Sequence, residues 1–107
     1  MNQSIVSEIK TALQELSIPG KAEIMQTFFK TGKGEYGEGD VFIGVTVPDQ
    51  RSVAKEFYNK ISLEELSELL SSKIHEHRLT ALLILVYKFE KNKDKIEQKK
   101  IIDFFFF

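Results

Sequence analysis

A chain of 107 residues with net charge −1, 42% apolar and 29% charged side chains describes one ordinary globular domain with a small core. It contains no cysteine, which excludes a disulfide framework and a thiolate zinc site. The longest apolar run, Ala81 to Tyr87, is far too short to cross a membrane, and Met1 to Ser4 lacks a basic leader, so the expected setting is cytoplasmic with no membrane partner. Charge is uneven: residues 88–107 carry six basic and four acidic side chains, against nine and twelve in residues 1–87. The balance does not by itself point to nucleic acid, although one local basic face is enough to meet a phosphate backbone.

The first helix is predicted from about Ser4 to Leu16, with Ile5, Ile9, Ala12, Leu13 and Leu16 on one face. Ser17-Ile18-Pro19-Gly20 breaks the chain, and Pro19 suits the first position of a second helix that continues to about Lys30. Ala22, Met25, Phe28 and Phe29 form its expected buried side, with Gly32 as the C-cap. A long loop, Thr31 to Arg51, follows and holds five of the six glycines. Loops of this length are functional or disordered, and Phe42, Ile43, Val45 and Val47 would be wasted in solvent. The loop is therefore expected to be ordered, with Phe42 and Val45 plugging it onto the helices.

Pro48 opens a third helix with Val53, Ala54, Phe57 and Tyr58 inward. Ser62 and Glu65 form a capping box for a fourth, in which Leu63, Leu66, Leu69 and Leu70 repeat at helical spacing. The fifth helix, about His75 to Phe89, is apolar nearly all round from Leu79 to Tyr87 and is expected to be wrapped by the others. Asp94, with Glu97 three residues later, starts a sixth helix that leads to Phe104–Phe107. Six helices joined mostly by short turns give an all-α chain of stacked antiparallel helix pairs, a single domain over residues 1–107.

Few residues carry a chemical signature. Gly32-Lys33-Gly34-Glu35-Tyr36-Gly37 matches a dinucleotide fingerprint in letters only: a helix precedes it, and Glu35, Glu38 and Asp40 repel phosphate. His75-Glu76-His77 has i, i+2 spacing, which points side chains to opposite sides of a helix, so no metal site is expected and the three read as polar first-turn residues. Arg78 precedes the most apolar stretch and is expected to reach a carboxylate, a loop carbonyl or a ligand phosphate. Arg51 either caps loop carbonyls or pairs with Asp40, tying the loop down, or joins Tyr36 and Asp40 on a concave surface. No cofactor is implied, and no Ser-His-Asp, Cys-His or paired-carboxylate catalytic arrangement emerges.

Two stretches carry a resemblance. FFKTGKGEYGEGDVFIGVTVPDQR, Phe28 to Arg51, and SKIHEHRLTALLILVYKF, Ser72 to Phe89, resemble the N-terminal part of the bacterial DNA alkylation repair proteins of the AlkD-like family. The resemblance implies a HEAT-like superhelix of helix pairs and, for the family, DNA glycosylase removal of cationic N3- and N7-alkylated purines. It implies double-stranded DNA as partner, with Lys33, Tyr36, Asp40, Arg51, His77 and Arg78 as candidates for DNA contact or for the concave surface. The family's catalytic aspartate lies in an Asn-Asn-Trp-Asp-Leu-Val-Asp segment that follows the sixth helix. This chain has no tryptophan and ends at Asp103-Phe104-Phe105-Phe106-Phe107. The expectation is thus a truncated form without a catalytic residue, its Phe104–Phe107 edge covered by a second copy. The alternative is a HEAT-like protein interaction module.

Overall fold

The computed structural model describes residues 4–28, 33–34 and 39–106. Six helices follow one another: α1 (Ile5–Glu15), α2 (Lys21–Phe28), α3 (Val47–Phe57), α4 (Leu63–Leu70), α5 (His75–Lys91) and α6 (Lys95–Phe106). Among the described residues there is no strand, and the only bridge is an isolated parallel pairing of Val41 with Ile74.

Local chemistry sets the helix starts. Ser4, Thr46 and Ser62 each sit in extended backbone and accept a hydrogen bond from the N–H three residues on. Ser62 and Glu65 complete the predicted capping box, with the Ser62 N–H donating to Glu65 Oε1 at 2.9 Å. Asp94 Oδ1 accepts from the Ile96 N–H at 2.9 Å and starts α6. At the other side of that turn, the Gln98 side-chain amide donates to the carbonyls of Phe89 and Asn92, satisfying the frayed end of α5.

α5 is the central helix. It packs on α3, α4, α1 and α6, and most extensively on α3, while α1 lies across α3 and α4. The core joins Ile9 and Leu13 of α1, Val53 and Phe57 of α3, Leu66 and Leu69 of α4, and Ala81 and Ile84 of α5. Val45 from the long loop is buried among them.

Two expectations about packing change. α2 has no buried residue, and Phe28 is 77% exposed; Ala22 and Met25 are only partly covered, and Phe29 and Gly32 lie outside the described residues. The physical reason is that α2 touches the rest through its first turn rather than along its length. The helix itself starts at Lys21, leaving Pro19 in the preceding turn. α5, expected to be wrapped all round, leaves Leu82, Val86 and Phe89 exposed on one stripe at 38%, 49% and 37%, because α1, α3 and α4 cover only its other sides.

The turn between α1 and α2 is fastened to the loop at Gly44, whose carbonyl accepts from the Ile18 N–H at 2.9 Å. Gly44 has φ +87°, and a Cβ there would lie 3.0 Å from the Ala22 nitrogen and 3.1 Å from the Ile18 oxygen. Both are backbone atoms that cannot swing away. Gly20, at φ +82°, has open space around it. Gly44→Ala is therefore expected to destabilise the protein by about 3 kcal/mol, conformational strain plus a backbone clash, and Gly20→Ala by only about 1 kcal/mol. Urea unfolding of the two variants measures the difference.

Candidate functional site

The loop and the first turn of α5 meet in a dense polar cluster. Glu76, in the first turn of α5, is fully buried. Its Oε2 accepts the backbone N–H groups of Ile43, Gly44 and Val45 at 3.2, 2.8 and 3.1 Å, and Oε1 shares that of Ile43 at 3.1 Å. Three consecutive amides converging on one carboxylate form an anion-binding concavity filled by the protein's own side chain. Gln50 extends the network: its amide donates to the Val45 carbonyl at 3.0 Å, and its oxygen accepts from the Thr80 hydroxyl at 3.4 Å.

Asp40 lies at the outer edge of this junction. Its Oδ1 accepts from Arg78 Nη2 at 2.6 Å, and Oδ2 lies 2.9 Å from His75 Nδ1. Arg78 Nη1 donates to the Ser72 carbonyl at 2.9 Å, and His75 stacks on Phe42 with ring centroids 4.4 Å apart. The His75 N–H donates to the Val41 carbonyl at 2.8 Å. Partial burial disfavours the Asp40 carboxylate, but hydrogen bonds from Arg78 and His75 and their positive charge outweigh it, so the carboxyl ionises below the usual aspartate range.

The six sequence candidates separate. Asp40 and Arg78 form one ion pair, partly open to solvent. Arg78 thus reaches both a carboxylate and a carbonyl, as two of its three expected partners. Arg51 does not pair with Asp40: it is exposed on α3 and makes no ion pair among the described residues, since Arg78 and His75 already occupy both Asp40 oxygens. Lys33 is exposed, and Tyr36 lies outside the described residues. His77, a candidate for DNA contact or the concave surface, is only 5% exposed, with Nδ1 2.8 Å from the Ser72 hydroxyl. The helix turns it inward, opposite to His75, as the i, i+2 spacing dictates. Burial, aided by the positive charge of Lys10, pushes its pKa down from the ordinary histidine value against the opposing pull of Glu76.

The sequence reading missed Glu76 and Gln50 as anchors. A carboxylate directly before an apolar helix reads as a favourable first-turn charge. The available signal was the other partner: Ile43-Gly44-Val45 carries apolar side chains without a strand to satisfy its amides. A second cleft, of about 350 Å³, lies between the end of α3 and the α5–α6 turn and is lined by Tyr58, Asn59, Leu63, Lys88, Lys91, Asn92, Glu97 and Ile101. Burial lowers the pKa of Lys88 there, opposed by the charge of Glu65. Among the described residues, no group of three His, Asp or Glu side chains has a metal-binding arrangement.

Glu76→Gln replaces one acceptor oxygen by a donor facing backbone donors. It is expected to destabilise by about 3 kcal/mol, read as a lower urea midpoint. A pH series isolates His77. It is harder to protonate folded than unfolded, so below about pH 6.5 the unfolded chain takes up protons first and stability falls with pH. His77→Gln is expected to flatten that window. It leaves the more acidic limb, in which the Asp40 contribution, present above about pH 3.9, is lost as pH falls through its lower folded value.

Comparison with known proteins bears on what this arrangement serves. Curated proteins and solved structures yield no match. The family model of the DNA alkylation repair enzymes matches residues 9–105, from α1 through the loop, the Glu76 junction and α5 into the last turns of α6. The match spans nearly the whole chain, and the protein belongs to the DNA alkylation repair enzyme family.

Proposed function

We propose that this chain serves the repair of alkylated DNA by binding duplex DNA, and that these 107 residues do not themselves release the damaged base. The family match over residues 9–105 supports the first part. The chemistry of the junction supports the second. Excision of a cationic alkylated purine, the glycosylase activity implied for AlkD-like relatives, needs a carboxylate free to stabilise an oxocarbenium-like sugar. Glu76 is fully buried under three amides, and Asp40 is neutralised by Arg78 and His75. The reading is of the N-terminal, HEAT-like part of a glycosylase whose catalytic segment lies elsewhere.

Exposed cations would supply the binding. Lys33 and Arg51 are exposed, are not spent on ion pairs among the described residues, and are open to phosphate. Arg78 keeps about a third of its side chain exposed and would add a weaker contact from within its pair with Asp40. A second reading, a helical scaffold that binds protein and not DNA, draws on the net charge of −1.

Fluorescence anisotropy on a short duplex separates the two. Under the DNA reading, affinity falls steeply with salt, and Lys33→Glu with Arg51→Glu weakens binding and lowers the slope of log K against log salt by about one per lost phosphate contact. No salt-dependent binding would leave only the scaffold. Incubation with methylated DNA tests the chemistry: binding without liberated 7-methylguanine is expected, and robust release would overturn the non-catalytic assignment.

A further inference from the structure

The open stripe of α5 and the end of α6 together make an apolar surface. Leu82, Val86 and Phe89 face Ile102, Phe105 and Phe106 across a groove of about 420 Å³ in which Glu90 is the only charged lining residue. Phe105 and Phe106 are 56% and 75% exposed and stand edge to face, 5.2 Å apart. Phe104, by contrast, turns inward against the core. A second groove of about 460 Å³ runs along the other flank of Leu82 and Phe105, toward Ser67 and Leu70 of α4. Phe105 is thus a ridge with a groove on either side.

We propose that this surface is the interface of a homodimer, in which the Phe105–Phe106 ridge of each copy enters the α5–α6 groove of the other. Three features select a second copy as the occupant. A two-fold contact needs the same patch to present both a projection and a matching hollow, and here both lie side by side. The area is also right. With whole aromatic side chains contributing about 150–250 Å² each, the six exposed residues present roughly 500 Å² of apolar surface. A standard interface buries about 800 Å² per partner with a core about 65% apolar, so the patch supplies what such a dimer needs. Charge does not oppose the pairing. Each copy carries only −1, and the neighbouring surface of α6 holds a Lys99–Asp103 pair of both signs at 3.3 Å.

Sedimentation equilibrium over about 1 to 100 μM is the test. The wild type is expected to approach twice 12.3 kDa. Phe105→Glu with Phe106→Glu is expected to weaken the dimer at least about 100-fold, as loss of central aromatic anchors does, with the helical circular dichroism unchanged. Val86→Glu, in the floor of the groove, gives an independent reading should the double variant misfold. Ile96→Lys is the control: it changes an exposed apolar residue of α6 that does not line the groove, and it leaves the equilibrium unchanged. A wild type that stays monomeric throughout, association that grows past the dimer, or helical variants that still dimerise would each overturn the proposal.

Discussion

The buried carboxylate of Glu76 is the contact on which the rest of the architecture depends. It gathers three consecutive amides of a loop that has no strand to pair with, and so substitutes one side chain for a sheet edge. Desolvating a carboxylate costs several kcal/mol, and the charge-assisted hydrogen bonds largely offset that cost rather than exceed it. The net effect on stability is therefore small, while the geometric consequence is large. With the amides fixed, Val45 enters the core and Phe42 lies under His75. Gly44 is pressed against the turn between α1 and α2, close enough for its carbonyl to take the Ile18 N–H. One side chain thus ties α5 to the loop and, through Gly44, to the turn between α1 and α2.

The same arrangement sorts the charges of the loop region into two classes. Glu76, His77 and Gln50 are inside and serve the fold. Asp40, His75 and Arg78 form a half-exposed latch over them, in which each charge has a partner. Lys33 and Arg51 remain outside. A surface meant to meet phosphate needs cations that are not already neutralised, because an ion pair must be broken or shared before a new anion is bound. The division therefore separates residues that shape the surface from residues available to a ligand.

At the other end of the chain, α6 packs chiefly on α5. Helical hairpin stacks bury each apolar face against a neighbour, and a face without one stays apolar and open. Leu82, Val86 and Phe89 on α5 make such a face, and the phenylalanines of α6 enlarge it. The polar junction near the loop and the apolar groove near the C-terminus are thus opposite in character. The first is saturated internally, and the second is apolar and open to solvent.

Periodicity and caps located the six helices, with α2 beginning two residues later than its proline suggested. Ser62 with Glu65 fixed the start of α4, Asp94 that of α6, and the apolar spacing of α1, α3 and α4 named most of the core correctly. The plugging of the loop by Phe42 and Val45 was also legible, since buried-type side chains in a glycine-rich segment must be covered somewhere. These are local matters, decided within a few residues of chain. What only the tertiary structure decided is which charge meets which. Arg78 rather than Arg51 holds Asp40, Glu76 is an anchor rather than a helix-dipole charge, and His77 faces inward while His75 faces the loop. Each partnership spans more than thirty residues or turns on which side of α5 its neighbours cover. Sequence spacing gives the face of a helix on which a side chain stands. It does not give what the fold brings to that face, and for a charged residue that neighbour decides everything.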